Sequence, residues 1–444
     1  MKVLLVYSNT YTTLYPPPVG LSLLTEPLRK AGHEVHLVDF MREKSPDTLL
    51  QEALNRYKPD IVGFSLRNLD NQDYKKAKNF VPDYQRWVSL VDADTPTIIG
   101  GSAVMCMPEE VFRRVGATYA MAGQGERAFP AFLDELQKKK ADFTTPGLIW
   151  KQDGKIRHNP GSWKGYRDGG TIDWASLDYK RYQKSIMGYC VITKSGCPYN
   201  CLFCDAKASF GSEWIPREPE TIVEDLRRDR QQFGLHRFGC FFVDALFNEP
   251  VDWAKRLLEE IIRSEFKLSF SVIIEPTKSF DHEFARLLRR AGCGMVTTLL
   301  SSMDDEVLEK ARRPFTVQNV ERTFSLLERE RVPYIPQFML GGPGETKETV
   351  TANFTHLKRW KPLYVDATYG IRIMPRADIY EVALQEGIID KDTDLLDPVF
   401  YLSEPLKQDL PWLDRQTKKL KGFRLGSLAQ WGDYILRSTR VRFQ

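Results

Sequence analysis

The sequence contains no run of 18 apolar residues, the length a membrane-crossing helix needs, so no transmembrane segment is expected. It also lacks a strong charge of either sign. Lys and Arg number 63 against 59 Asp and Glu, a formal net charge of +4 over 444 residues. That balance argues against a nucleic-acid binder and against a polybasic membrane anchor. Cysteine is scarce. There are seven, an odd count, and Cys106, Cys190, Cys240 and Cys293 are scattered. This is not the pattern of a secreted disulfide framework. A reducing cytoplasm is the expected compartment, where free thiolates can hold metal. Internal repeats and low-complexity segments are lacking too. The opening "MKVLLVYSNT" has a short apolar run without a cleavage signature and reads as a first strand.

What is present is an ordinary globular composition, 42% hydrophobic and 27% charged, which can bury substantial cores. The length allows two or three domains of ~150 residues. Over residues 1–140, short β-branched runs at 2–8, 34–40, 60–66, 96–102 and 117–123 alternate with helical patterns, one of them the polar segment 71–91. The alternation predicts an α/β domain, a doubly wound parallel sheet of Rossmann-like type. Ligands of such sheets bind beyond the carboxyl ends of the strands. Those ends carry Ser8 to Gly20, Ser65 to Asp70, Gly100 to Met105 and Ala122 to Glu126. Residues 141–184 read as a connector holding a hairpin that turns at Asp153-Gly154. A second alternating region, 185–400, offers six strands separated by helices and predicts a (β/α) barrel, full or partial. Active sites of barrels lie at the C-terminal strand ends. Residues 401–444 read as a helical extension.

One motif stands out. "KSGCPYNCLFCDA" (194–206) follows the first barrel strand and holds three of the seven cysteines, Cys197, Cys201 and Cys204, spaced C-x3-C-x2-C. A structural zinc site is one reading, but it usually shows a second cysteine pair or trailing histidines, which are missing. A three-cysteine iron–sulfur cluster, one iron left open, explains the count better.

This motif, with Phe203 before its last cysteine, resembles the signature of the radical S-adenosylmethionine (SAM) superfamily. The resemblance implies that Cys197, Cys201 and Cys204 hold a 4Fe-4S cluster whose open iron chelates SAM. An electron from an external donor of flavodoxin or ferredoxin type then yields a 5′-deoxyadenosyl radical. Phe203 is implied near the adenine. "FFVDALFN" (241–248) resembles the family's second strand, which makes Asp244 a contact to the SAM amino group. "LLRRAGCGMVTTLLSS" resembles the segment facing the ribose; where the family often has Glu-Ser, this chain has Ser301-Ser302, leaving Ser302 as the candidate. "FMLGGPGET" (338–346) resembles the fifth-strand loop and brings in Gly341.

Before the barrel, "PPPVGLSLLTEPLRKAGHEVHLVDF", "VGFSL", "IIGGS" and "AGQGE" resemble the cobalamin-binding domain of the cobalamin-dependent radical SAM branch. Ser65, Gly100, Gly101, Ser102, Gly123, Gly125 and Glu126 are then implied around the corrin and its nucleotide tail. Many such domains carry D-x-H-x-x-G, whose His lies under the cobalt. None of the six histidines (His33, His36, His158, His236, His282, His356) sits in that motif. Arg67 is expected beneath the metal instead. A guanidinium keeps its proton and is a poor ligand, so the cobalt would lack a protein base. The plainer reading of Arg67 is an ion pair with Asp70 or Glu126. The resemblance implies a methyltransferase moving a methyl group from SAM, through methylcobalamin, to a small-molecule or peptide substrate, with no nucleic-acid or membrane partner. Cyclisation or rearrangement, with or without cobalamin, and a non-catalytic iron–sulfur protein are the alternatives.

Overall fold

The protein is described by a computed structural model covering residues 1–12, 15–139, 142–161, 172–178, 181–182, 185, 187–233, 239–265 and 268–418. The expected helical extension beyond 418, His236 and most of the expected connector after 161 lie outside the described residues.

Strands β1 (Lys2–Tyr7), β2 (Glu34–Asp39), β3 (Ile61–Ser65), β4 (Thr97–Gly100) and β5 (Tyr119–Met121) form a parallel sheet in the order β2-β1-β3-β4-β5. Helices α1 (Val19–Lys30), α2 (Pro46–Tyr57), α3 (Val81–Ser89), α4 (Ser102–Cys106), α5 (Pro108–Val115) and α6 (Gly125–Gln137) connect them. Alternation along β1 shows the two-sided burial. Val3, Leu5 and Tyr7 pack with Leu21, Leu28 and Phe132, while Leu4 and Val6 pack with Leu50, Trp87 and Phe112. Helix α5 is bounded as its sequence dictates: Pro108 at its start, Glu109 and Glu110 in the first turn, Arg113 and Arg114 in the last, and left-handed Gly116 to end it.

Two expectations change here. The hairpin of β6 (Leu148–Gln152) and β7 (Lys155–His158), expected in a connector, continues the first sheet, with β6 antiparallel to β5. Its turn is the expected one, Asp153 and Gly154 both having positive φ. The helix expected over 71–91 is confined to α3. Before it, the Asn71 side chain accepts from the backbone N–H of Asp73 and Lys78, and Asp73 accepts from Lys75 and Lys76. These local bonds compete with the helix and hold a loop.

The second unit is an open six-stranded parallel sheet, β8 (Tyr189–Val191), β11 (Gly239–Phe242), β12 (Ser269–Ile274), β13 (Cys293–Leu299), β14 (Tyr334–Leu340) and β15 (Asp366–Tyr369), neighbours in that order. The barrel is therefore partial. Between β8 and β11 a small antiparallel pair, β9 (Lys194–Ser195) and β10 (Ile215–Pro216), brackets the cysteine loop and α7 (Ala206–Phe210). Helices α8 (Pro219–Phe233), α9 (Val251–Arg263), α10 (His282–Ala291), α11 (Asp305–Lys310), α12 (Val317–Arg329) and α13 (Lys347–Leu357) cover the outer face.

The last expected barrel strand, "YVDATYGIRIM", breaks at Gly370 (φ 65°). Beyond it β16 (Ile371–Arg372) pairs antiparallel with β17 (Phe400–Tyr401), and α14 (Ile379–Gln385) follows between them. Ile371, Ile373, Ile379, Ala383 and Leu395 bury themselves in the core of the first unit, not of the barrel. Arg372 locks this return: its Nε donates to Asp70 at 2.7 Å, and its other nitrogens donate to the carbonyls of Ile373, Leu395 and Val399. Helices α15 (Glu404–Lys407) and α16 (Leu410–Lys418) end the described chain. Among the described residues, no helix is long and apolar enough to cross a membrane.

Candidate functional site

The C-terminal strand ends of the two units face one cavity of about 480 Å³. From the first unit it is lined by Ser65, Arg67, Gly100, Gly101, Ser102, Gly123, Gly125 and Glu126, with Tyr7 and the Pro16–Pro18 turn. The barrel contributes Cys190, Phe241, Val243, Asp244 and Ile273, and the cysteine-loop surroundings add Ser195, Ser209 and Phe210. Every first-unit candidate named from the sequence is thus gathered on one wall. Cys197, Cys201, Cys204, Phe203, Ser302 and Gly341 are not among the lining residues.

The glycines divide by role. A methyl group added at Gly20 or Gly123 would meet nothing within 4 Å, and at Gly100 nothing nearer than 3.7 Å, so backbone here is open to an arriving ligand. Gly101, at φ +98°, would put a methyl 2.6 Å from the Leu66 carbonyl, and at Gly125 it would sit 2.9 Å from Leu24. Those two are glycines for internal packing. An open crevice at the edge of a parallel sheet suits a long nucleotide tail.

Arg67 is the one cation among the described residues lining the cavity. Its backbone carbonyl is held by the Ser102 hydroxyl. The ion pair with Asp70 that would explain it is not made, because Asp70 is taken by Arg372. No histidine lines the cavity among the described residues. His36 stacks on Tyr57, and His158, His282 and His356 pair with Glu109, Glu330 and Glu321.

The cysteine loop is braced from below. Asp244, expected to meet the SAM amino group, accepts from the backbone N–H groups of Thr193 and Lys194, from the Thr193 hydroxyl and from Lys194 Nζ at 3.3 Å. Both oxygens are committed, so its first task is to clamp the strand that enters the loop. The Lys194 and Asp244 side chains are 1% and 0% exposed. Burial pulls the Lys194 pKa below its usual range, and Asp244 opposes that. Two other candidates are also committed. The buried Ser302 hydroxyl donates to Asn353 at 3.0 Å. Gly341 N–H donates to Glu345, and a methyl on Gly341 would collide with Leu402.

Cys197 is buried, Cys201 half-buried and Cys204 exposed. Burial pushes the Cys197 thiol up to about 11 and raises Cys201, so neutral thiols are favoured at these two until a metal claims them. No three His, Cys, Asp or Glu side chains among the described residues converge as if around one ion. A four-iron cluster asks for something else: one thiolate on each of three separate corners, from one loop, with charge compensation nearby. The loop supplies the thiols. Compensation comes from a residue not anticipated from sequence. Arg313 Nη1 donates to Cys201 Sγ at 3.2 Å, and Nη2 donates to Glu275 at 2.5 and 2.6 Å. Burial raises Glu275 to about 7 against the pull of Arg313. Phe203, expected beside an adenine, lies under this guanidinium, 5.3 Å from its centre to the ring. Glu275 directly follows β12, at a C-terminal strand end of the barrel, a signal that could have been read. Arg313 lies in the charged run "KARRPF", which carries no such signal.

The comparisons with known proteins divide the chain in the same way. Residues 191–355 match the radical SAM superfamily model, and residues 9–133 match the B12 binding domain model. An uncharacterized methyltransferase of Pyrococcus horikoshii is 24% identical over 88% of this chain and 84% of its own. The tryptophan 2-C-methyltransferase of Streptomyces laurentii is 24% identical over 82% of this chain and 71% of its own. Among solved structures, the radical SAM methyltransferase TsrM from Kitasatospora setae, with tryptophan and a SAM analogue bound, superposes with a TM-score of 0.80. It covers 93% of this chain and 87% of that one, at 24% identity, a likeness of fold.

Proposed function

Because the chain belongs to the radical SAM superfamily and carries a B12 binding domain ahead of that barrel, which makes it a cobalamin-dependent radical SAM enzyme, we propose that it is a methyltransferase. It would move a methyl group from SAM, by way of cobalamin, to a small molecule or peptide. One observation carries the reading: a single cavity joins the strand ends of both units, with open glycine backbone on one wall and the cysteine loop beside the other. When bound, the 4Fe-4S cluster activates SAM and cobalamin carries the methyl group.

The residues then divide the work. Cys197, Cys201 and Cys204 would hold the cluster through their thiolates. The Asp244–Lys194 clamp fixes the strand that leads into them. Gly100 and Gly123 let the cobalamin tail approach the backbone, with Ser65, Ser102 and Glu126 along its path. Arg67 would face bound cobalamin, where a guanidinium would offer a fixed charge and no lone pair, and so no protein base, to the cobalt. Phe241, Val243 and Ile273 keep water from the reacting face. We assign the electron to an external donor of flavodoxin or ferredoxin type. We place the enzyme in the cytoplasm on its odd, scattered cysteines, and without nucleic-acid or membrane partners on its near-neutral charge.

The test is anaerobic. Reconstituted protein loaded with cob(II)alamin should show a paramagnetic resonance spectrum without nitrogen hyperfine splitting, because neither His nor the cofactor's own base coordinates. Arg67→Lys should change the cobalt spectrum and leave the unfolding midpoint in place. Nitrogen splitting in the wild type would remove Arg67 from this role. Failure to load cobalamin at all would remove the methyltransferase reading.

A further inference from the structure

We propose that Arg313 is a positioning residue that sets the reduction potential of the cluster by donating a hydrogen bond to one of its thiolates; this rests on the reading of Cys201 as a cluster ligand. The geometry is specific. Arg313 follows α11, with its N–H capping the helix at the Leu308 carbonyl (2.9 Å) and Arg312 before it at φ 52°. That turn sends the side chain inward until it is only 2% exposed. Four groups then orient it: Glu275, both of whose oxygens accept from Nη2; the Leu299 carbonyl at 2.5 Å; and the rings of Phe203 and Phe315, 5.3 and 5.1 Å from the guanidinium centre. Of the two other nitrogens, Nε has no hydrogen-bond partner and Nη1 donates to Cys201 Sγ, 3.2 Å away.

Folding alone does not account for this arrangement. A buried Arg–Glu pair is costly to desolvate and is often no more stabilising than an apolar pair of similar size. Here the pair is carried to a cysteine of the C-x3-C-x2-C motif. Adding an electron to a thiolate-bound cluster adds negative charge to its sulfurs. A fixed N–H donor, in a site of low dielectric, stabilises that charge and makes reduction easier. Glu275 keeps the donor aimed, and the two rings keep the fork from turning away.

The experiment is a potentiometric titration of the reconstituted cluster, followed by paramagnetic resonance, with iron content measured on each sample. Arg313→Met combined with Glu275→Gln removes the donor without leaving a buried carboxylate alone. The expected result is full iron content and a reduction equilibrium at least tenfold less favourable, about 59 mV more negative for a one-electron couple. Arg313→Lys, which keeps a cation but loses the fork, should fall between this variant and the wild type, and it serves if the double variant fails to fold. An unchanged potential in either folded variant with full iron overturns the role of Arg313 and leaves the cluster assignment standing. Absence of iron from the wild type would take both down together.

Discussion

The two walls of the cavity are built on opposite plans. On the first unit, the wall is unfinished: glycine backbone faces empty space, and Arg67 has no carboxylate partner among the described residues. On the barrel, the carboxylate of the wall is already spent, since Asp244 is clamped to Thr193 and Lys194. Behind that wall the other polar candidates are braced in the same way, Ser302 to Asn353, Gly341 to Glu345, and Glu275 to Arg313. An unfinished wall is what a large, preformed cofactor needs, since its own atoms complete the surface. A braced wall is what a loop needs when three thiolates must stay in register through cycles of charge. The difference explains why residues of similar expected role behave so differently in the structure.

Several changes would break or sharpen this contrast. The largest effect is expected at the thiols. Replacing Cys197, Cys201 and Cys204 together with Ala should take iron and sulfide from near-stoichiometric to background, whereas Cys293→Ala, in a buried strand, should retain both. Next comes the brace. Lys194→Met leaves the buried Asp244 carboxylate without its cation and should cost about 3 kcal/mol, read as a lower denaturation midpoint. The open wall should respond the other way. Gly100→Ala has room for its methyl against the protein, so stability should hold, while cobalamin binding should weaken by about tenfold, or ~1.4 kcal/mol. Equal losses of stability and affinity there would erase the distinction between the walls.

The smallest effect is a pH slope. Burial pushes Glu345 up to about 8, against an ordinary value of 4.5, so the folded chain holds a proton that the unfolded chain has released between those values. Its contribution to stability is complete below about 4.5 and is lost as the pH rises through about 8. Glu345→Gln should remove that decline, flattening the slope by up to about 1.4 kcal/mol per pH unit in unfolding titrations. A variant with the wild-type slope would show that Glu345 is ionised in the folded chain.

How much of this was legible in the sequence follows from what each feature is made of. Parallel strands buried on both faces write themselves as apolar runs, and so β1 to β5 and the barrel strands could be located from pattern alone. The open glycines and Arg67 were legible because ligands of such sheets meet the same strand ends. The return of residues 371–401 to the first unit was not, because its apolar residues look alike whichever core they enter. Contacts such as Arg372 reaching back to Asp70 and Arg376 to the Met105 carbonyl distinguish the two, and such pairings span some 300 residues. Asp244 and Ser302 were found, but their commitments were not, since a hydrogen-bond partner on another strand leaves no mark in local spacing. Arg313 was missed for the same reason: its position follows from the turn after α11 and its meaning from a sulfur more than 100 residues away.

The central claim is that the two units serve one methyl group, and it can be tested before any substrate is known. Reconstituted protein, loaded with cobalamin and reduced under anaerobic conditions, is given SAM carrying a trideuterated methyl group, and the cobalamin is then recovered for mass spectrometry. The account predicts trideuterated methylcobalamin together with an equal amount of S-adenosylhomocysteine. Cobalamin that stays bound through the incubation but never acquires the label would contradict it.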